Sequence, residues 1–215
     1  LTTIFSDGFE SGDVSAWTGQ NGTPVVSGDS KLVGAYGLEV DAVDDYVYQA
    51  FTEVTRLRVR VWIDPHSFTM AAGEKAHFLF IYDGAVLVGY VRLQFTTVYR
   101  LDVGVLDDAS AWKGTAAYTI TDGPHWAEVD FSFANTVGSM TLYIDGILEQ
   151  MYSSIDLGTR APDSVRLGWL QAVGSPSGTL YLDHLEMNDD GDTIGPGITP
   201  PMAMCHYRRR RSLCF

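Results

Sequence analysis

Residues 125–146, HWAEVDFSFANTVGSMTLYIDG, decide the fold. Ala127, Val129, Phe131 and Phe133 recur at every second position, with Glu128, Asp130 and Ser132 between them. After a turn through 135–138, Met140, Leu142 and Ile144 alternate with Thr141, Tyr143 and Asp145. A period of two puts one set of side chains on a core and the other set outward, so both runs are half-buried strands. Asp145-Gly146 is a tight-turn signal, because Gly takes positive φ at little cost. Residues 147–152 then run back as a third strand.

The same period continues on both sides. Strands are predicted at 37–42, 46–51, 56–63, 76–82, 86–95, 99–105 and 115–121. In 56–63, Leu57, Val59, Val61 and Ile63 point one way, and Arg56, Arg58, Arg60 and Trp62 the other. Val91, Leu93 and Phe95 are inward, with Tyr90, Arg92 and Gln94 outward. Tyr99, Leu101, Val103 and Val105 are inward, with Arg100 and Asp102 outward. Residues 76–82 are apolar on both faces, as in a central strand. Asp64-Pro65, Asp83-Gly84 and Asp122-Gly123-Pro124 punctuate the runs. No segment has a helical period, a heptad pattern or an internal repeat.

Composition agrees with an all-β chain. Of 215 residues, 22 are Gly and 12% are aromatic, and Lys occurs only at Lys31, Lys75 and Lys113. A chain of this length buries about 70% of its unfolded surface, enough for a core without staples. There is no apolar run near 18 residues to span a membrane, and no stretch of these residues reads as a signal peptide. The chain opens on Leu1, as a processed product would; secretion and tag removal leave the same mark. Net charge is −13, and four of the 14 basic residues are Arg208, Arg209, Arg210 and Arg211. The first 204 residues therefore carry ten basic against 27 acidic groups, or −17. Such a body repels nucleic acid and suits calcium or a basic partner, or simply stays in solution.

A His125-Trp126 step into a strand, a second strand ending in Leu-Tyr-Ile-Asp-Gly and a later segment closing on Val-Arg-Leu-Gly at 165–168 resemble the core of laminin-G-like domains. These belong to the concanavalin A-like lectin and glucanase group. The resemblance covers about residues 5–187. It implies a two-sheet antiparallel jelly-roll sandwich, an extracellular or cell-surface setting, binding to glycan or protein, and often calcium. Residues 4–12 with Trp17 are similar to the start of secreted jelly-roll modules, whose first strand pairs with the last. The last strand would be 179–187. That pairing would bring Asp7, Glu10 and Asp183 together as ligands of a structural calcium, which needs several oxygens. The alternative is that these carboxylates face solvent or cap turns.

Glycan hydrolases of this fold carry Glu, Asp and Glu at alternate positions of a strand. Glu128 and Asp130 begin that pattern, but Ser132 cannot act as the general acid. Lyases of the fold gather Arg, Gln, His and Tyr in a cleft; His77 and Arg58 are present without the flanking motifs. The histidines at 66, 77, 125, 184 and 206 have no paired metal spacing. Trp112 lies on a loop, 107–114, where it either binds or covers the core edge. A non-enzyme is expected.

Three regions follow: a sandwich at 1–187, an Asp/Gly/Pro-rich linker at 188–204 and a basic tail at 205–215. The leading expectation is a binding module for glycan or a protein partner. Its candidate ligand face is the outward set Arg58, Arg60, Trp62, Tyr90, Arg92, Arg100, Trp126 and Tyr143, aromatic for sugar rings and cationic for uronate or sulfate. The alternative is a structural subunit that assembles into a filament or surface layer through its tail, with a Cys205–Cys214 disulfide, Tyr207 and Phe215 as anchors and Arg208, Arg209, Arg210 and Arg211 on an acidic neighbour. A divergent glycan-cleaving enzyme is the third reading.

Overall fold

The computed structural model describes residues 2–196. Its strands are β1 (Thr3–Asp7), β2 (Gly19–Asn21), β3 (Val25–Ser27), β4 (Gly37–Val40), β5 (Asp45–Ala50), β6 (Arg56–Asp64), β7 (Lys75–Asp83) and β8 (Val86–Phe95). They continue as β9 (Tyr99–Leu106), β10 (Trp112–Gly114), β11 (Tyr118–Thr119), β12 (His125–Ser132), β13 (Gly138–Ile144), β14 (Ile147–Ile155), β15 (Ser164–Val173) and β16 (Leu180–Asn188). The described residues form no helix.

Two eight-stranded antiparallel sheets face one another. Sheet A runs β14-β13-β12-β6-β16-β4-β3, with β1 also on β16; sheet B runs β10-β9-β8-β7-β15-β5-β2, with β11 also on β9. This is the expected all-β jelly-roll sandwich. The deciding hairpin forms in the predicted register, with Ala127 opposite Ile144, Val129 opposite Leu142 and Phe131 opposite Met140. These residues join Leu57, Val59, Val61 and Ile63 of β6 and Leu79, Ile81, Val91, Leu93, Leu101 and Val103 of sheet B in one core. Each Val, Leu, Ile, Phe or Met among them contributes about 1.5–3 kcal/mol on burial. The terminal strands pair as the resemblance implied, with Phe5 opposite Met187 and Asp7 opposite Leu185.

The differences are local. The run at 115–121 is broken, because only 112–114 and 118–119 pair with β9. β2 and β3 are too short to show a period. β15 was visible only as its 165–168 segment, because its register shifts between Leu167 and Gln171. Within that shift lies Gly168, at φ 152, where a Cβ would run into the backbone of Asp45 and Tyr46.

The first part of the expected linker is held to the sandwich. Residues 189–196 leave β16 and cross the outer face of sheet A. There Ile194 and Gly195 donate their N–H groups to Glu128 at 3.0 and 3.1 Å, and the Gly191 carbonyl accepts from Arg58 at 3.0 Å. Gly and Pro make this segment extended, but buried side-chain partners hold it down.

Candidate functional site

The eight residues expected to share one ligand face do not share one. Arg58, Arg60, Trp62, Trp126 and Tyr143 lie on sheet A, while Tyr90, Arg92 and Arg100 lie on sheet B. Alternation reports inward from outward, but a sandwich has two outward faces.

The face of sheet A is covered. Trp62 is fully buried, packed with Trp126 beneath Leu32 and Val33. Its indole N–H donates to the Pro196 carbonyl at 3.2 Å. Arg58 is buried and pairs with Glu128, and Arg56 pairs with Asp130 at 2.8 Å. Arg60, also buried, reaches Glu186 at 2.8 Å. Glu128 and Asp130 are thus partners of arginine, not a free catalytic pair. Tyr143 carries the Arg58 guanidinium 4.9 Å from its ring centre.

The three carboxylates proposed for calcium are also engaged by protein donors. Asp7 accepts from the Phe9 N–H at 2.9 Å and the Trp17 indole at 2.7 Å. Glu10 accepts from Ala35 and Tyr36. Asp183 accepts from Leu32 and Val33 at 2.9 and 2.7 Å and from the His184 N–H at 2.6 Å. Burial pushes the Asp183 carboxyl up to about 7 against the pull of these N–H groups. Among the described residues no three His, Cys, Asp or Glu side chains are gathered as a metal site. Pairing the termini brings the strands together without turning these oxygens toward a common centre.

Sheet B is open. Its outer face holds a cleft of about 350 Å3 lined by His77, Phe80, Leu87, Tyr90, Arg92, Trp112 and Gln171. Register builds it: Asp102 of β9, Arg92 of β8, His77 of β7 and Gln171 of β15 stand in one cross-strand row. In the next row Gly104, Tyr90, Phe80 and Arg166 are opposite one another. Gly104 makes room for this, since a Cβ there would come within 2.4 Å of the Tyr90 ring as it now lies. Tyr90 therefore lies over β9, where Trp112 meets it at 5.0 Å and 51°. His77 meets the other side edge-on at 5.1 Å. Trp112 is 44% exposed, a standing aromatic wall and not a cover for the core.

The electrostatics of the cleft are set by two groups. Arg92 makes a two-pronged pair with Asp102 at 2.8 and 2.8 Å, a geometry that fixes its guanidinium plane. Burial opposes its charge, but Asp102 outweighs that and raises its pKa. Burial, with Arg92 beside it, pulls His77 down to about 4, so it is a neutral imidazole at neutral pH. Its Nδ1 is buried without a hydrogen-bond partner among the described residues.

Of the sequence candidates, Tyr90 and Arg92 line this cleft and Arg100 lies on the same face. Trp112, read as either binding or covering the core edge, and His77, read as one member of an incomplete lyase-type set, also line it. Phe80, Leu87 and Gln171 were missed. Phe80 is on the outward phase of a run that is apolar on both faces, and register shifts in β8 and β15 break the period that would have marked Leu87 and Gln171. Cys205, Cys214, Tyr207, Arg208, Arg209, Arg210, Arg211 and Phe215 lie outside the described residues.

No protein-family model and no curated sequence matches the chain. Solved structures do. Cip1, a cellulose-induced protein, is similar at a TM-score of 0.62 and 17% identity, over 90% of this chain and 100% of that one. The receptor binding domain of botulinum neurotoxin C/D mosaic serotype is similar at 0.61 and 12%, over 87% of this chain and 48% of that one. The serotype D ligand binding domain, solved in complex with N-acetylneuraminic acid, is similar at 0.61 and 11%, over 97% and 51%. The chain spans about half the length of the toxin domains it matches. At such low identity this structural likeness shows a shared β-sandwich fold alone.

Proposed function

We propose that this chain is a non-catalytic glycan-binding module, working outside the cell, whose sugar seat is the cleft on the outer face of sheet B. The observation that carries this reading is the aromatic wall of Tyr90 and exposed Trp112 standing beside the polar row Arg92, His77 and Gln171. Sugar rings have apolar C–H faces and polar rims, so a seat for them needs both kinds of surface within one concavity. The fold likeness to a domain solved with N-acetylneuraminic acid supports a sugar ligand at the level of the class. Glycan-array screening followed by calorimetry should give a ligand whose affinity falls about tenfold in Trp112→Ala. An array without signal, or a ligand that Trp112→Ala binds unchanged, defeats the reading.

A second reading rests on one observation: Arg92, Gln171, His77 and Tyr90 are the four residue types that lyases of this fold gather in a cleft. A neutral His77 has the lone pair a base requires, and Tyr90 carries a proton for a leaving oxygen. Against this, Arg92 already spends its charge on Asp102. Incubation with polyuronates, followed by ultraviolet detection of an unsaturated sugar end, separates the two. Product formation that is lost in His77→Ala replaces the binding module with an enzyme.

A further inference from the structure

We infer that the ligand of sheet B is a linear polyanionic glycan, held on both sides of the cleft by arginines that have no carboxylate of their own. This deepens the glycan-binding reading and rests on it.

The argument starts from pairing. Among the described residues, Arg56, Arg58, Arg60, Arg92 and Arg160 each reach a carboxylate. Arg100 and Arg166 do not, in a chain with 27 acidic residues to choose from. Both stand on the outer face of sheet B, and so does Lys75, which also lacks an ion pair. The outward positions of β5, β7, β8, β9 and β15 therefore carry Lys75, Arg92, Arg100 and Arg166 against Asp102 alone. A molecule of net charge −13 presents a locally cationic face.

Arg166 is also built into place. Its guanidinium carbon lies 4.3 Å from the Tyr82 ring centre and 5.1 Å from that of Tyr46, rings supplied by the strands on either side of β15. Ring faces stabilise the cation without using its N–H donors, which remain free for an external acceptor. Arg100 has a buried Nε with no hydrogen-bond partner. A half-buried cation stacked on aromatics and left unpaired is poised for an anion with a planar or forked set of oxygens, such as a uronate carboxylate or a sulfate.

The registers set the spacing. Strands lie about 4.8 Å apart and successive outward residues about 6.6 Å apart. Arg100, Arg92 and Arg166 then fall on one diagonal, roughly 8 Å and 12 Å apart, with the cleft at its middle. A track of roughly 20 Å exceeds any monosaccharide and matches a chain several units long. The partner is thus a polymer with an acid group on repeating units, engaged at the cleft and at Arg166 and Arg100 beyond it.

The test uses the full chain, size-defined oligouronates from one to six units, a neutral glucan hexamer and a single-stranded oligonucleotide of equal charge, measured by calorimetry at low and high salt. The expected result is affinity that rises with oligouronate length and falls with salt, since exposed ion pairs are screened. Arg166→Gln should weaken the hexamer roughly tenfold and leave the shortest binding unit unchanged, as loss of one charged hydrogen-bond set predicts. Arg166→Lys should not restore it, because ammonium lacks the fork. Arg166→Gln indistinguishable from the parent on the hexamer, with Trp112→Ala still weakening binding, overturns the inference and leaves the glycan module standing. Equal, salt-insensitive affinity for the neutral hexamer does the same. Oligonucleotide binding as tight as the hexauronate overturns the glycan class. Binding to no sugar at all overturns both readings.

Discussion

The outer faces of the two sheets are written in the same residue types, arginine, carboxylate and aromatic, and they behave in opposite ways. On sheet A each outward arginine has an acidic partner, and chain from 32–33 and 189–196 lies across the top. On sheet B, among the described residues, two arginines and a lysine lack one, Trp112 stands exposed, and the cleft stays open. Charge that is paired and covered contributes structure. Charge left unpaired on an aromatic platform keeps its N–H donors available to an external acceptor. Sequence phase alone makes the two faces look alike.

The largest effect that would separate them is on stability at sheet A. Glu128→Ala removes the partner of buried Arg58 and the acceptor for Ile194 and Gly195, so unfolding free energy should fall by about 3–5 kcal/mol. Denaturant titration measures it. Glycan affinity of the folded fraction should not change; a matched loss of affinity would merge the two faces into one site.

Gly104→Ala strikes sheet B through its backbone. The new Cβ displaces the Tyr90 ring, at a cost of about 1–3 kcal/mol in stability, and binding should be lost as the aromatic wall moves. Retained affinity would show that Tyr90 is not part of the seat. Trp112→Ala should change stability by no more than about 0.5 kcal/mol, because this side chain is largely outside the core. A thermal melt of that variant close to the parent, beside its weakened binding, makes the sharpest contrast with Glu128→Ala.

A further contrast is in pH. The folded-state pKa of His77 is about 4, below its ordinary 6.5. Between those values the unfolded chain holds a proton that the folded chain does not, so stability from this group is present above 6.5 and is lost as pH falls toward 4. His184, held near 4 by burial and Arg60, adds the same sign. Asp183, raised to about 7, works the other way, its contribution falling as pH rises from about 4 to 7. His77→Gln should flatten the acid-side decline in urea melts between pH 4.5 and 7. An unchanged slope would place His77 in a solvated setting unlike the cleft described.

Much of the fold was legible. Alternation in β6, β8, β9, β12 and β13 is strong because each has one face on the core, and the register of residues 127–144 follows from it. β15 was less legible, since its register shift breaks the period where Gln171 enters the cleft. The site was legible only in fragments. Tyr90 and Arg92 were marked by outward phase, as were Arg58 and Trp62, and nothing local distinguishes the two pairs.

The amino-acid sequence by itself determined that this chain is a β-sandwich, where most strands run and which side chains turn away from the core, because the two-residue period is a property of each strand alone. Tertiary structure decided which outward residues are covered and which line an open cleft. Covering Trp62 takes Leu32, Val33 and Pro196, and building the cleft takes residues from β7, β8, β10 and β15. Those contacts join positions far apart in the chain, and local alternation carries no information about which distant segment will lie across a face.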